Sequence, residues 1–341
     1  MMRLAPSFEL SYHALMPELP EVQALAAFLE SKARGRRIAR VEMLSFAALK
    51  TAAPPASILV GRTILGCGRR GKFLLVETSE NGGDAASSGA PIWLAVHFSR
   101  AGWLRWHDAP DGSAQAGASR AGVTGSDGVG ADLRAVPRGV ATRPSLRGGP
   151  LAARLTLDDG SGFDLTEAGT QKRLAIYVVR APEDVPGIAR LGIDPLDAAF
   201  DVTALTGLLA GRTGQLKHLI ADQALIAGVG NAYSDEALHA ARLSPFRPAG
   251  KLTADEIAGL HVALRQVLEE ALTRNRGVPA SGLKDEKRSA MRVHGRTGLP
   301  CPVCGDTIRE VAFADRSLQY CPTCQTGGKP LADRRLSRLL R

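Results

Sequence analysis

Residues 301–324 read CPVCGDTIREVAFADRSLQYCPTC, two C-x2-C pairs separated by sixteen residues. Each pair sets two thiolates on one tight knuckle, and together they form a closed tetrahedral all-thiolate shell suited to zinc. No ligand position is left open, so the predicted role is one structural Zn2+ held by Cys301, Cys304, Cys321 and Cys324. A chance spacing or a pair of disulfides is the competing reading. Between the knuckles, Thr307–Val311 and Ser317–Tyr320 look like two strands of a hairpin with Ala314, Asp315 and Arg316 at its turn. An arginine on such a tip can meet a groove or a phosphate, or can simply be solvated.

The chain N-terminal to this module divides into two kinds of sequence. Val22, Leu25 and Leu29 fall at helical spacing, with Pro20 before them and Gly35 after, which predicts a short amphipathic helix over Glu21–Arg34. β-like runs follow at Ile38–Leu44, Lys72–Glu77, Ile92–His97, Trp103–Trp106, Arg154–Leu157 and Arg173–Val179, separated by glycine-rich turns. They predict antiparallel sheets packed as a sandwich or barrel. Asp108–Pro150 is rich in Gly, Ala, Ser and Arg and reads as a disordered surface insertion between two strands. Beyond Pro195 the pattern becomes helical, at Val202–Ala210, Gln215–Asp222, Ala232–Ala241 and Ala254–Arg274. Thr253 and Glu256 have capping-box spacing before the last of these, and Ile257, Leu260, Leu264, Val267 and Leu268 form its apolar stripe.

Composition bounds the function. With 341 residues, 45% hydrophobic and 23% charged, the chain is neither fibrous nor low-complexity. A net charge of +9 suits a polyanionic partner. No run reaches the ~18 apolar residues of a membrane span. The opening MMRLAPSFELSYHAL lacks the unbroken apolar core of a signal peptide, so the chain reads as cytoplasmic. Cys67 stands alone and reads as a small buried residue.

Three further segments carry candidate chemistry. Ile226-Ala227-Gly228-Val229-Gly230-Asn231 lies between two predicted helices, with Asn231 at an N-cap position. It reads either as a phosphate-binding helix start or as a tight inter-helix turn. Arg69-Arg70-Gly71-Lys72 opens a predicted strand and is either a phosphate contact or a solvated basic turn. Met16-Pro17-Glu18-Leu19-Pro20-Glu21-Val22 is a helix lead-in when internal. At a chain start, however, Pro17 would carry a secondary amine able to attack a sugar C1′ and become an iminium, with Glu18 beside it to move protons.

In this order, PELPEV, RRGKFL, GVGNAYSDEALHAARLSP and ADRSLQYCPTCQ resemble the formamidopyrimidine-DNA glycosylase/endonuclease VIII family, over the whole chain from Pro17 apart from the insertion. The resemblance implies an α+β multidomain architecture. It has an N-terminal β-sandwich with a short helix (17–195), a helix-two-turn-helix domain (196–296) and a C-terminal four-cysteine zinc-finger hairpin (297–341). It implies double-stranded DNA carrying oxidised bases or abasic sites as partner to a monomeric enzyme. It also implies excision of oxidised purines such as 8-oxoguanine, followed by β,δ-elimination. Oxidised pyrimidines, or lesion binding without catalysis, are the alternatives. Carried onto this chain, Pro17 is the Schiff-base nucleophile, Glu18 the proton donor and Glu21 a supporting acid. Lys72, Asn231 and Arg316 grip phosphates, and Lys217 lies near the bound nucleotide. The active chain would begin at Pro17, residues 1–16 being removed or never translated. Arg100 stands where the purine-specific branch carries a methionine. Gln171-Lys172-Arg173-Leu174 matches that branch's intercalating loop only loosely, and Ala280–Arg292 is short and charged where a lesion-capping loop is held.

Overall fold

The computed structural model describes residues 16–79, 90–110, 149–313 and 317–332. Helix α1 (Leu19–Ala33) leads into two four-stranded antiparallel sheets. One has the order β1 (Ile38–Met43), β6 (Leu151–Leu157), β7 (Gly162–Glu167), β5 (Gly102–His107). The other runs β2 (Ile64–Arg70), β3 (Phe73–Thr78), β4 (Ile92–His97), β8 (Ala175–Val179). Their facing side chains, with Leu25 and Leu29 of α1, form the main core. β3 is a continuous apolar run because both its faces are covered. Leu74 and Val76 point into the sandwich, while Phe73 and Leu75 pack under Val185 and Ile188.

Two strands lack a clear pattern in sequence. β2, ILGCGRR, is an edge strand with two glycines, against which α1 packs. Its pairing with β3 makes Gly71-Lys72 the tip of a hairpin, so the basic segment closes one strand and opens the next. β7, GFDLTE, is central yet carries three polar residues whose side chains are satisfied internally. Asp164 takes the Arg154 guanidinium at 2.7 Å, and Glu167 accepts Leu174 N–H at 2.7 Å. Residues 111–148 of the expected insertion lie outside the described residues.

Four helices follow, α2 (Val202–Leu209), α3 (Leu216–Ile220), α4 (Asn231–Ala240) and α5 (Ala254–Asn275), around a second core. The expected capping box opens α5: Glu256 N–H donates to Thr253 Oγ1 at 3.2 Å, and Thr253 N–H to Glu256 Oε2 at 2.8 Å. Residues 283–290, charged from Lys284 to Arg288, form a further helix, α6 (Leu283–Ala290). Its Leu283, with Ala280, enters the sandwich core, and Trp103 Nε1–H donates to Ala280 O at 3.0 Å. The terminal hairpin consists of β9 (Arg309–Ala312) and β10 (Ser317–Tyr320), ending in α7 (Pro322–Thr326). Among the described residues no helix is long and apolar enough to cross a membrane.

Candidate active site

The first turn of α1 meets the first turn of α4. Glu18 caps α1, its own N–H donating to Glu21 Oε2 at 2.9 Å, and Leu19 N–H reaches across to Gly228 O at 3.1 Å. The Glu18 carboxylate enters the start of α4, where Gly230 N–H and Ala232 N–H donate to it at 2.6 and 2.9 Å. The expectation of an asparagine cap is thereby corrected. Gly230 is the N-cap residue, without a side chain to offer, and the capping carboxylate comes from α1. Free N–H groups and the helix dipole both favour an anion there. Burial pushes the Glu18 carboxyl up, but Lys287, Lys72 and the Ala232 N–H outweigh it and hold its pKa below the ordinary carboxylate value. Glu18 is therefore a carboxylate at neutral pH and must acquire the proton it would donate.

Glycine is required at both bends of this turn. Gly228 has φ +91°, and a Cβ there would meet the Leu19 side chain at 2.7 Å. A Cβ on Gly230 would lie 2.5 Å from both Glu18 Cδ and Lys72 Nζ. Lys72 thus sits beside Glu18 from the β2–β3 hairpin, buried rather than projecting outward. Burial lowers its pKa, with Glu18 opposing that shift. Arg69 faces Asp194 at 2.5 Å, leaving Arg70 as the exposed cation of this segment.

Glu21 is also enclosed. It accepts Tyr233 O–H at 2.6 Å and Lys287 Nζ at 2.8 Å. Burial first, then Glu21, pushes the Tyr233 phenol well above its ordinary range, so it stays a donor. Lys217 turns inward, donating to Asp235 Oδ1 at 2.6 Å, Ser234 Oγ at 2.8 Å and Asn231 O at 3.0 Å. Its three protons are used by the start of α4, so in this structure it supports the turn. Asn231 Nδ2 donates to Ser317 O at 2.8 Å, joining the turn to the residue that follows Arg316. Arg316 itself lies outside the described residues. Asp235 Oδ2 accepts His294 Nδ1 at 2.8 Å and Gln319 N–H at 3.2 Å, a second tie to the hairpin.

The Sγ atoms of Cys301, Cys304, Cys321 and Cys324 all lie within 4.8 Å of one another. A tetrahedral shell with ~2.3 Å zinc–sulfur bonds sets its sulfurs ~3.8 Å apart, so these thiolates fit the ion. His239 Nε2 lies 3.3 Å from Cys301 Sγ, where it can donate to the thiolate and tie the finger to α4.

Three family models match in chain order. The formamidopyrimidine-DNA glycosylase N-terminal domain covers residues 16–134, its H2TH domain 191–281, and the zinc finger found in FPG and IleRS 298–327. A formamidopyrimidine-DNA glycosylase of Moorella thermoacetica is 35% identical over 306 residues, 87% of this chain and 94% of its own. The chain belongs to the formamidopyrimidine-DNA glycosylase family. A glycosylase-like protein of Mycobacterium tuberculosis is 63% identical over 151 residues, 44% of this chain and 94% of its own. The crystal structure of the MutM (Fpg) protein of Thermus thermophilus superimposes with a TM-score of 0.67 at 30% identity, covering 92% of this chain and all of that one. The expected sandwich, helix-two-turn-helix and zinc hairpin are those of this family, and the four thiolates hold its structural zinc.

Within that family frame, two groups escaped the sequence reading. Lys287 was one charge among several in α6, and Tyr233 read as part of a helix. Only the docking of α6 against α1 and α4 makes them part of the site. The leucine at 283 amid charged residues was the available signal, since it anchors that docking.

Proposed function

We propose that the chain is a bifunctional DNA glycosylase/AP lyase of base excision repair, acting on oxidised bases through the secondary amine of Pro17. One observation carries this reading: buried Pro17 adjoins a carboxylate held at a helix start and flanked by the ammonium groups of Lys72 and Lys287. A carboxylate that can move a proton, next to an amine and framed by cations, is the equipment for displacement at C1′.

A damaged base must leave the stack before its glycosidic bond is accessible, at a cost of a few kcal/mol. The Pro17 lone pair then forms the N–C1′ bond while the C1′–base bond breaks and its electron pair leaves with the base. The Glu18 carboxylate takes the proton that nitrogen then loses and delivers it to O4′ as the C1′–O4′ bond opens to give the iminium. The iminium draws electrons from C2′, which loses a proton as the 3′ phosphate departs; the 5′ phosphate follows. Lys72, Asn231 and Arg316 hold phosphates, and Glu21 and Lys217 keep Glu18 and the α4 start in place. Residues 17–195, 196–296 and 297–341 serve as catalytic, DNA-binding and zinc-finger units of a monomer in the nucleoid-bearing cytoplasm. Residues 108–150 are an insertion, and residues 1–16 are absent from the active form. Oxidised purines are the leading substrates.

Borohydride trapping tests this on protein beginning at Pro17 and on the full chain, with duplexes containing 8-oxoguanine, an oxidised pyrimidine or an abasic site. A covalent adduct only with the Pro17-start protein supports the mechanism. The best-trapped duplex identifies the lesion class. Tight binding to damaged duplex with no adduct from either protein would leave a lesion-binding protein instead.

A further inference from the structure

Lys287 is the most enclosed cation of the site and has no part in the chemistry above. Its side chain is 1% exposed, as is that of Glu21, against 2% for Glu18. Nζ donates to Glu21 Oε2 at 2.8 Å and to Met16 O at 3.1 Å, lies 3.8 Å from Glu18 Oε1, and stands 4.8 Å over the Tyr233 ring. The Met16 carbonyl belongs to the peptide bond that closes on Pro17 nitrogen. Oxygen and nitrogen of one peptide group are about 2.2 Å apart, so Nζ lies no more than about 5.3 Å from Pro17 N. In a chain beginning at Pro17 that carbonyl is gone, and the ammonium faces the amine with one acceptor fewer.

We propose that Lys287 is a positioning residue whose buried ammonium keeps the Pro17 amine in its neutral, nucleophilic form. This rests on Pro17 being the nucleophile. A second cation cannot be accommodated cheaply beside the first, so Pro17 gives up its extra proton. That proton leaves to solvent, and Glu18, held as a carboxylate by the same ammonium, stays free to take the proton that nitrogen sheds once the N–C1′ bond has formed. The proton that ends on the sugar oxygen is the one nitrogen sheds after attack, carried there by Glu18.

The charged groups around the amine support this balance. Glu18 and Glu21 come from α1, Lys72 from the β2–β3 hairpin and Lys287 from α6, two anions against two cations. Lys217 is neutralised by Asp235, which also holds His294, while Tyr233 of α4 is a neutral donor and Arg274 of α5 pairs with Glu270 and Glu286. With Lys287 in place the surroundings are neutral and protonation of Pro17 adds an unbalanced charge. Without it the surroundings are anionic and favour the ammonium.

The test is single-turnover borohydride trapping over a pH series, with saturating abasic duplex and Pro17-start protein as wild type, Lys287→Met and Lys287→Arg. Removing one charge at about 5 Å through an effective dielectric of ~20–40 raises the acidic midpoint by about one to two pH units. Lys287→Met should therefore trap about tenfold or more slowly at neutral pH and approach the wild-type rate in alkali, while Lys287→Arg keeps the wild-type midpoint. A uniform loss with an unmoved midpoint would overturn the proposal and leave Lys287 a structural partner of Glu21. Should Lys287→Met not fold, 15N-proline NMR of the wild type decides. The Pro17 amine must titrate below the free peptide PELPEV, and an equal or higher midpoint overturns the proposal. Absence of any adduct from the wild-type protein would instead sink the Pro17 nucleophile itself, and this inference with it.

Discussion

Replacing Gly230 with alanine introduces a methyl group where Glu18 and Lys72 already meet. The added Cβ would sit 2.5 Å from Glu18 Cδ and from Lys72 Nζ, whereas ordinary contact begins near 3.4 Å. Each group must retreat by about 0.9 Å, or the α4 start must move instead. A retreat of that size stretches the 2.6 Å bond from Gly230 N–H to Glu18 beyond useful length. Loss of one hydrogen bond to a charged group costs about 1.5–3 kcal/mol. The kinetic effect should be larger, because displacing a catalytic group by about 1 Å can cost 10²-fold. Gly207→Ala is the control: Gly207 lies on the exposed face of α2 with nothing within 4 Å of its added Cβ, so it should gain about 0.5–1 kcal/mol and leave trapping unchanged. Thermal melting and single-turnover borohydride trapping of Pro17-start protein would be measured together. Wild-type melting and trapping in Gly230→Ala would refute the claim that this glycine is dictated by the Glu18–Lys72 approach.

Metal analysis should find one zinc per chain. Its removal by a chelator should abolish DNA binding, because the Asn231–Ser317 and Asp235–Gln319 bonds depend on a folded hairpin; undiminished duplex binding by zinc-free protein would contradict this. Lys217→Met should cost about 3–5 kcal/mol by leaving Asp235 buried without its main cation, and the double variant with Asp235→Asn should recover part of the loss; urea unfolding of the two proteins measures the coupling. Burial, and then Lys72, push the His97 imidazole down to about 4. A histidine depressed in the folded state contributes stability that is complete above its unfolded value near 6.5 and is lost as pH falls towards the folded value. Stability should therefore decline between about pH 6.5 and 4, and His97→Gln should flatten that slope; an unchanged slope in the variant would assign it to other groups.

How much of this was legible in sequence depended on whether the deciding contacts were local. The cysteine knuckles, the Thr253–Glu256 capping box and the apolar stripe of α5 are signals within a few residues of one another, and each has its expected structure. β2 and β7 were missed because their partners supply what their own patterns lack. Gly66 and Gly68 leave β2 with little to bury, and the polar groups of β7 are answered from β6 and the 168–174 loop. The N-cap of α4 shows the same limit. Asn231 has the side chain that caps helices, and local chemistry assigns it that role. Glu18, more than two hundred residues earlier, occupies the position instead, and no local rule could supply it.

The location of the charged cluster follows from its cost. Four ionised groups withdrawn from water are less stable than an apolar core of the same volume unless each is answered by an opposite charge or an N–H. Here Glu18 takes three backbone N–H groups and Glu21 takes a phenol and an ammonium, and these partners come from α4 and α6 rather than from α1. The cluster is therefore satisfied only when the sandwich and the helical domain are docked. Docking in turn is secured by apolar contacts outside the cluster, Leu283 and Ala280 in the sandwich core among them. Apolar burial holds the interface closed, and the polar groups set its register. Neutralising Glu21 by Glu21→Gln should consequently disturb Lys287 and Tyr233 together, and should lower domain–domain cooperativity in melting more than it lowers the stability of either core. A single sharp transition of wild-type width in that variant would show that the apolar contacts alone fix the docking.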